Sequence, residues 1–135
     1  DTNHFTELVA ESAFGLRLSE RLVEMEAIPF VTIITTQEVC QGWCAFINRQ
    51  SAGLSQVFGY GQFQHSFDML SNLVVLAFDS DAATAFHELK NTGIRIGSMD
   101  LKISAIALSH DALLLSRNLV DFEKVPGLRV QNWLD

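Results

Sequence analysis

The stretch Gly93–Trp133, GIRIGSMDLKISAIALSHDALLLSRNLVDFEKVPGLRVQNW, decides the fold class. Ser98 can cap a helix running from Met99 to about His110. Its Ile103, Ala105, Ile106, Ala107 and Leu108 put small and apolar residues on several sides, so burial is expected all round. Asp100 falls in its first turn. A strand follows over Ala112–Leu115, ending at Ser116, and a short last strand is expected over Leu128–Val130.

The same alternation continues upstream. Val74–Phe78 reads as a buried strand, after which Asp79, Ser80 and Asp81 offer N-cap oxygens to a helix reaching about Lys90 and stopped by Gly93. Ile28–Thr35, rich in Val, Ile and Thr, reads as another buried strand. From Gln37 the spacing of Val39, Trp43, Phe46 and Ile47 is helical and places Glu38 in a first turn. Gln50–Gln62, with Gly53, Gly59 and Gly61, reads as a helix end and a mobile connection before a helix containing Phe67, Leu70 and Leu73. Phe5–Leu22 predicts one or two short helices interrupted near Gly15. Strands alternating with helices predict an α/β domain with a central parallel sheet between helical layers, and ligands in such sheets gather beyond the carboxyl ends of the strands.

Length and composition bound the function. A chain of 135 residues is the size of one domain, and 48% hydrophobic with 19% charged residues is globular. No apolar run approaches the ~20 residues that cross a bilayer, and no secretory leader is visible, so no membrane association and a cytoplasmic location are expected. Cys40 and Cys44, four apart on a helical pattern, are expected as reduced, partly buried thiols. His4, His65, His87 and His110 are too scattered for a zinc site. A net charge of −7 has the wrong sign for holding nucleic acid by phosphate neutralisation alone, so a metal, a local basic patch or a partner would have to help.

The chemistry-bearing residues collect at strand ends. Glu38 follows one strand, Ser116, Asn118 and Asp121 follow another, and Asp100 at a helix start can share the rim. Carboxylates gathered together repel one another unless cations or protons intervene, and an all-oxygen set suits Mg²⁺ or Mn²⁺. On periodicity alone these acids are equally ordinary caps and helix-dipole partners, which is how Asp79 and Asp81 are read. Ser116 has no paired His and reads either as a site member or as a strand-end hydroxyl. Arg17, Arg21, Arg49, Arg95 and Arg117 could offer a track for phosphate groups, with Arg117 the best placed in sequence.

Gly93–Trp133 resembles the C-terminal half of VapC-type PIN domains. In that family an Asp opens an Ala-rich helix, a strand ends in Thr or Ser, Asn follows two residues later, an acid precedes Phe, and Pro-Gly-Leu leads to a terminal Trp. Asp100, Ser116, Asn118, Asp121-Phe122, Pro126-Gly127-Leu128 and Trp133 stand at those places. Asp1-Thr2-Asn3 is similar to the family's first motif, and Thr35-Thr36-Gln37-Glu38 with Gly42 and Trp43 to its second. The resemblance spans nearly the whole chain as a single domain, 1–135. It implies a three-layer α/β/α PIN-like fold and a metal-dependent endoribonuclease, the toxin of a VapBC-type toxin–antitoxin pair, that hydrolyses RNA with metal-activated water. It further implies Mg²⁺ or Mn²⁺ held by Asp1, Glu38, Asp100 and Asp121, support from Asn3, Ser116 and Asn118, a cognate antitoxin and a homodimer. The family pattern has a short apolar strand leading into the first Asp, so a central strand is expected upstream of Asp1. Two other readings stand beside this one. A catalytically inactive PIN-like interaction domain would have no need of four retained acids. A flavodoxin-like phosphate-handling domain would want a Lys at the late strand end where Ser116-Arg117-Asn118 stands.

Overall fold

Residues 1–24 form a helical pair because Glu7 and Ser12 close a tight corner. In a computed structural model describing residues 1–135, α1 (Thr2–Val9) and α2 (Ala13–Glu24) meet where the Ser12 hydroxyl caps α2 by accepting from the Gly15 N–H at 3.0 Å. Gly15 is the point of contact: a Cβ there would lie 2.0 Å from the Glu7 carbonyl oxygen, a distance no side chain tolerates. The break between the helices thus falls at Ala10–Ser12, ahead of the expected Gly15, which sits inside the first turn of α2.

The chain continues as β1 (Phe30–Thr32), α3 (Ile33–Asn48), a 3-10 turn (Leu54–Gln56), α4 (Val57–Ser71), β2 (Val74–Leu76), α5 (Ser80–Asn91), α6 (Ser98–Ser109), β3 (Leu113–Leu115), α7 (Leu119–Phe122) and β4 (Arg129–Gln131). β1 pairs in parallel with β2, Val31 opposite Val75, and β3 in parallel with β4, Leu114 opposite Val130. The expected parallel α/β architecture is present, with its sheet divided into two ribbons.

Several expectations shift. The strand read over Ile28–Thr35 shrinks to three residues, because the Thr32 hydroxyl accepts from the Thr35 N–H at 3.1 Å and starts α3 at Ile33. Ile33–Thr36 is therefore helix, and Glu38 lies in the second turn of α3. Residues 57–62, expected within a mobile connection, open α4. Gly59 is there because α4 crosses α3 so closely that a Cβ would meet Ile47 Cγ1 at 2.8 Å. Val74 and Val75, expected buried, are exposed in a ribbon of only two strands. Gly97, not Ser98, stands at the N-cap of α6 and makes no side-chain cap; Asp100 is in the first turn as expected. Asp79 caps α5 by accepting from the Ala82 N–H, and β4 begins one residue later than expected. Cys40 is half-buried and Cys44 exposed, both free.

Helix α6 is the structural axis. Leu101, Ile103, Ser104, Ala105, Ile106 and Ala107 are all buried, and the Ser104 hydroxyl is satisfied by the Asp100 carbonyl at 2.9 Å. Ile103, Ile106 and Ala107 pack with Ile34, Ala82, Leu114 and Phe122 into the largest core cluster. A second cluster joins Phe5 and Val9 of α1 to Val31, Val39 and Leu70. Between the ribbons lies an apolar cavity of about 300 Å³, walled by Phe30 and Val31 of β1, Leu113 and Leu115 of β3, Leu22 and Trp133. At its mouth the Asp1 α-amino group donates to the Leu115 carbonyl at 2.8 Å.

Candidate metal centre

The site is assembled by the starts of α1, α3, α6 and α7 around the end of β3. Asp1 is the N-cap of α1: its Oδ1 accepts from the His4 N–H at 3.1 Å and also faces His4 Nδ1 at 3.1 Å. Its Oδ2 accepts from the Ser116 hydroxyl at 2.6 Å. Ser116, one residue beyond β3, is wholly buried and also accepts from the Asn118 N–H at 3.0 Å. Of the two readings open for Ser116, the geometry favours site member, since its hydroxyl orients a carboxylate.

Asn118 joins the remaining acids. Its Nδ2 donates to Asp100 Oδ2 at 3.3 Å and to Asp121 Oδ2 at 3.0 Å, while Lys124 Nζ donates to Asp121 Oδ1 at 2.6 Å. Glu38 reaches the same region from α3, and its Oε1 is buried without a hydrogen-bond partner. Thr2 Oγ1 is likewise buried and unpartnered.

Electrostatics separate the four acids. Burial, reinforced by the Asp100 charge, raises the Glu38 pKa; the nearby Thr2 hydroxyl and the α-amino group offset part of this, although Thr2 does not reach hydrogen-bonding geometry. Burial and the Asp121 charge raise that of Asp100 against the Asn118 hydrogen bond. Asp121 is pulled down by its hydrogen bonds from Lys124 and Asn118. Glu38 and Asp100 therefore form a desolvated, mutually repelling pair, with Asp121 as their more exposed and better compensated neighbour. No three His, Cys, Asp or Glu side chains close into a ready-made cage. The donor set is all oxygen, and an orphaned carboxylate oxygen beside a second acid of raised pKa fits a hard divalent cation that keeps several waters.

Two expected residues stand apart. Asn3 is exposed and makes no side-chain hydrogen bond. The Arg117 guanidinium is held by Glu7 and Asp135, each at 3.3 Å, and stacks over Phe14 at 4.8 Å, so it is tied to the protein's own acids instead of lying open to phosphates. Arg17, Arg21 and Arg49 also lie over aromatic rings, those of Phe14, Trp133 and Phe46. The reading from sequence missed His4, which is 4% exposed and in contact with Asp1. The signal was there: a residue three after an N-cap Asp faces that carboxylate.

No family model matches the chain. Over 71 residues, 50% of the chain, it is 39% identical to ribonuclease VapC2 of Haemophilus influenzae, covering 54% of that protein. Over 86 residues, 60% of the chain, it is 30% identical to ribonuclease VapC2 of Rickettsia felis, covering 64%. The chain thus matches between half and two thirds of these relatives' lengths. The crystal structure of Rickettsia felis VapBC2 bound to a promoter DNA fragment superposes with a TM-score of 0.75 at 22% identity, over 98% of this chain and 95% of that one. Partial likeness in sequence and near-complete likeness in fold lead to one assignment: the chain has the α/β PIN-like fold of these VapBC structures.

Proposed function

We propose that this chain is a Mg²⁺- or Mn²⁺-dependent endoribonuclease and the toxin of a VapBC-type pair. The observation that carries it is the buried, unpartnered Glu38 carboxylate oxygen beside Asp100, on a rim shared with Asp1 and Asp121. A buried acid without a partner costs stability, and so do two desolvated like charges. A site that gains nothing in folding from this arrangement is arranged for something it binds. The names of the relatives, ribonucleases in each case, point the same way.

Glu38 and Asp100 would hold the cation, with Asp1 and Asp121 completing its oxygen environment. Bound there, a divalent ion supplies positive charge against a phosphodiester and activates water for its hydrolysis. The chain's own groups prepare the site. Asn118 spaces Asp100 from Asp121 by donating to both, and Ser116 fixes Asp1 Oδ2 while its own oxygen accepts from the Asn118 backbone. Lys124 donates to Asp121 and, with Asn118, holds its pKa down. With a net charge of −7 the surface attracts RNA weakly, and the metal supplies the positive charge.

For partners, the reading includes a cognate antitoxin and a second copy of the chain. Support comes from the VapBC assembly whose toxin fold this chain shares, and from Leu54, Val57, Phe58, Tyr60 and Phe67, large apolar side chains left exposed on and just before α4. One observation favours the rival reading of an inactive interaction domain: the acids do not close into a cage. RNA cleavage with added Mg²⁺ or Mn²⁺ separates the two. The parent cleaves and Asp100→Asn does not; equal cleavage by both, or by neither, sinks the metal-site reading. Expression without an antitoxin is expected to arrest growth, and unaltered growth with soluble protein would favour the interaction domain.

A further inference from the structure

We infer that His4 is a positioning residue that orients the Asp1 carboxylate as a metal ligand, an inference that rests on the nuclease reading. The geometry determines which imidazole nitrogen does what. His4 Nε2 lies 3.2 Å from the backbone nitrogen of Trp133, and a peptide N–H can only donate, so Nε2 must be the bare, accepting nitrogen. In the neutral ring the proton is then on Nδ1, 3.1 Å from Asp1 Oδ1, where it is donated.

The consequence lies in the carboxylate. Asp1 Oδ1 receives the His4 ring and the His4 backbone N–H, and Oδ2 receives the Ser116 hydroxyl, so rotation about the terminal bond would break hydrogen bonds at both oxygens. The ring is itself fixed at its far side by the C-terminal segment. Trp133 and Leu134 pack with Leu18, and the Trp133 N–H places the imidazole. His4 is thus the link through which the packed C-terminus sets the direction of a ligand at the start of the chain. Partners that fix a ligand's orientation typically change metal affinity by ~10–100-fold when removed.

The two ends of the ring can be tested separately. In His4→Asn the side-chain amide nitrogen takes the place of Nδ1 and keeps the donor to Asp1, losing the contact with Trp133. In His4→Gln the amide oxygen takes the place of Nε2 and keeps the acceptor for Trp133, losing the donor to Asp1. Mn²⁺ affinity by titration calorimetry, kcat and KM for RNA cleavage, and melting temperature are measured on both variants and the parent. His4→Asn is expected to bind Mn²⁺ within ~3-fold of the parent and to keep kcat, although it melts lower. His4→Gln is expected to lose ~10-fold or more in Mn²⁺ affinity and kcat at little change in KM. A purely structural role predicts that affinity and kcat follow melting temperature in both variants, and that result overturns the inference. So does a ring-nitrogen NMR spectrum showing the proton on Nε2 in the metal-free parent. A parent that binds no Mn²⁺ overturns the metal reading and the ligand-orienting role with it. A parent that binds, with the variants equal, overturns the role of His4 alone.

Discussion

At the scale of single residues, the candidate centre is a set of carboxylates held at different levels of discomfort. Glu38 and Asp100 have pKa values raised above 4.5 and 3.8, first by burial and then by the Asp100 charge at Glu38 and the Asp121 charge at Asp100. The native state therefore holds protons that the unfolded chain has already released. Stability contributed by these two groups falls as pH rises from about their unfolded values through the raised native ones, and it stays lower at neutral pH. Removing one charge relieves the pair. Glu38→Gln and Asp100→Asn are each expected to melt above the metal-free parent at pH 7 and to flatten this limb of the pH profile. Both should lose on the order of 100-fold or more in RNA cleavage. Mn²⁺ at 100 times its Kd should stabilise the parent by about 2.7 kcal/mol, several degrees in Tm, and the variants by much less. Calorimetric melts from pH 4 to 8 with and without Mn²⁺ check all of this; variants that melt below the parent and respond equally to Mn²⁺ would contradict it. Glu38, Asp100 and Asp121 were marked in the sequence by expected strand ends and helix starts, and Asp1 only by the resemblance of Asp1-Thr2-Asn3 to a family motif. The state of each was not, since it depends on Asn118, Lys124 and burial. The contact of His4 with Asp1 was within reach of its place three residues after an N-cap Asp, whereas nothing in a sequence shows that residue 4 meets residue 133.

At the scale of elements, short-range capping overrode composition. Ile33–Thr36 has the residue types of a strand, yet Thr32 turns it into the first turn of α3 by supplying one buried hydroxyl to the Thr35 N–H and another contact to the Thr35 hydroxyl. This moves Glu38 from the first to the second helical turn. Thr32→Ala is expected to cost about 1–2 kcal/mol, read as a lower urea midpoint at unchanged slope. If the cap also sets the angle at which Glu38 enters the site, Mn²⁺ affinity should fall with it. The glycines show the same limit from another side. Gly15, which reads as a helix breaker, lies within α2 and permits contact with the Glu7 carbonyl, and Gly59 does the same for α4 against Ile47. Alanine at Gly15 should gain about 1 kcal/mol in helix propensity. The clash at 2.0 Å is with backbone, which cannot swing aside, so a net loss of at least ~2 kcal/mol is expected. A Gly15→Ala variant as stable as the parent would show that the α1–α2 corner is looser than its contacts indicate. Helix existence was thus legible from apolar spacing, whereas boundaries and glycine roles depended on partners distant in sequence.

At the scale of the whole molecule, the two parallel ribbons are separated by an apolar slot, and the slot has a register. Ser116 N donates to the Gln131 carbonyl, continuing the β3–β4 ladder by one residue. Asp1 N donates to the Leu115 carbonyl in the same sense, which sets Asp1 opposite Ser116 as the end of a parallel strand lying along β3. Residues preceding Asp1 in that register would run beside Leu115, Leu114, Leu113 and Ala112, with Phe30 and Val31 of β1 on their other flank. The α-amino group marks the same track. It is buried, and burial lowers its pKa to about 6 against the opposing pull of Glu38 and Asp100, whereas a peptide N–H at that point would make the same hydrogen bond without burying a charge. A four-residue Val-Ile-Val-Leu extension fused ahead of Asp1 should therefore enter the slot and join the ribbons into one sheet. Burial of such side chains contributes roughly 1.5–3 kcal/mol each, against about 1–2 kcal/mol per residue ordered, for a net gain on the order of 3 kcal/mol and ~10 °C in Tm. The pH profile supplies a second readout. With its folded pKa near 6 and its unfolded value near 8, the free amine makes stability rise with pH across that interval, and an amide abolishes the slope. A Gly-Ser-Gly-Ser extension removes the charge equally but fills nothing, so it should flatten the slope without the gain in Tm. Equal melting of the two extended proteins would mean that the slot does not take a strand.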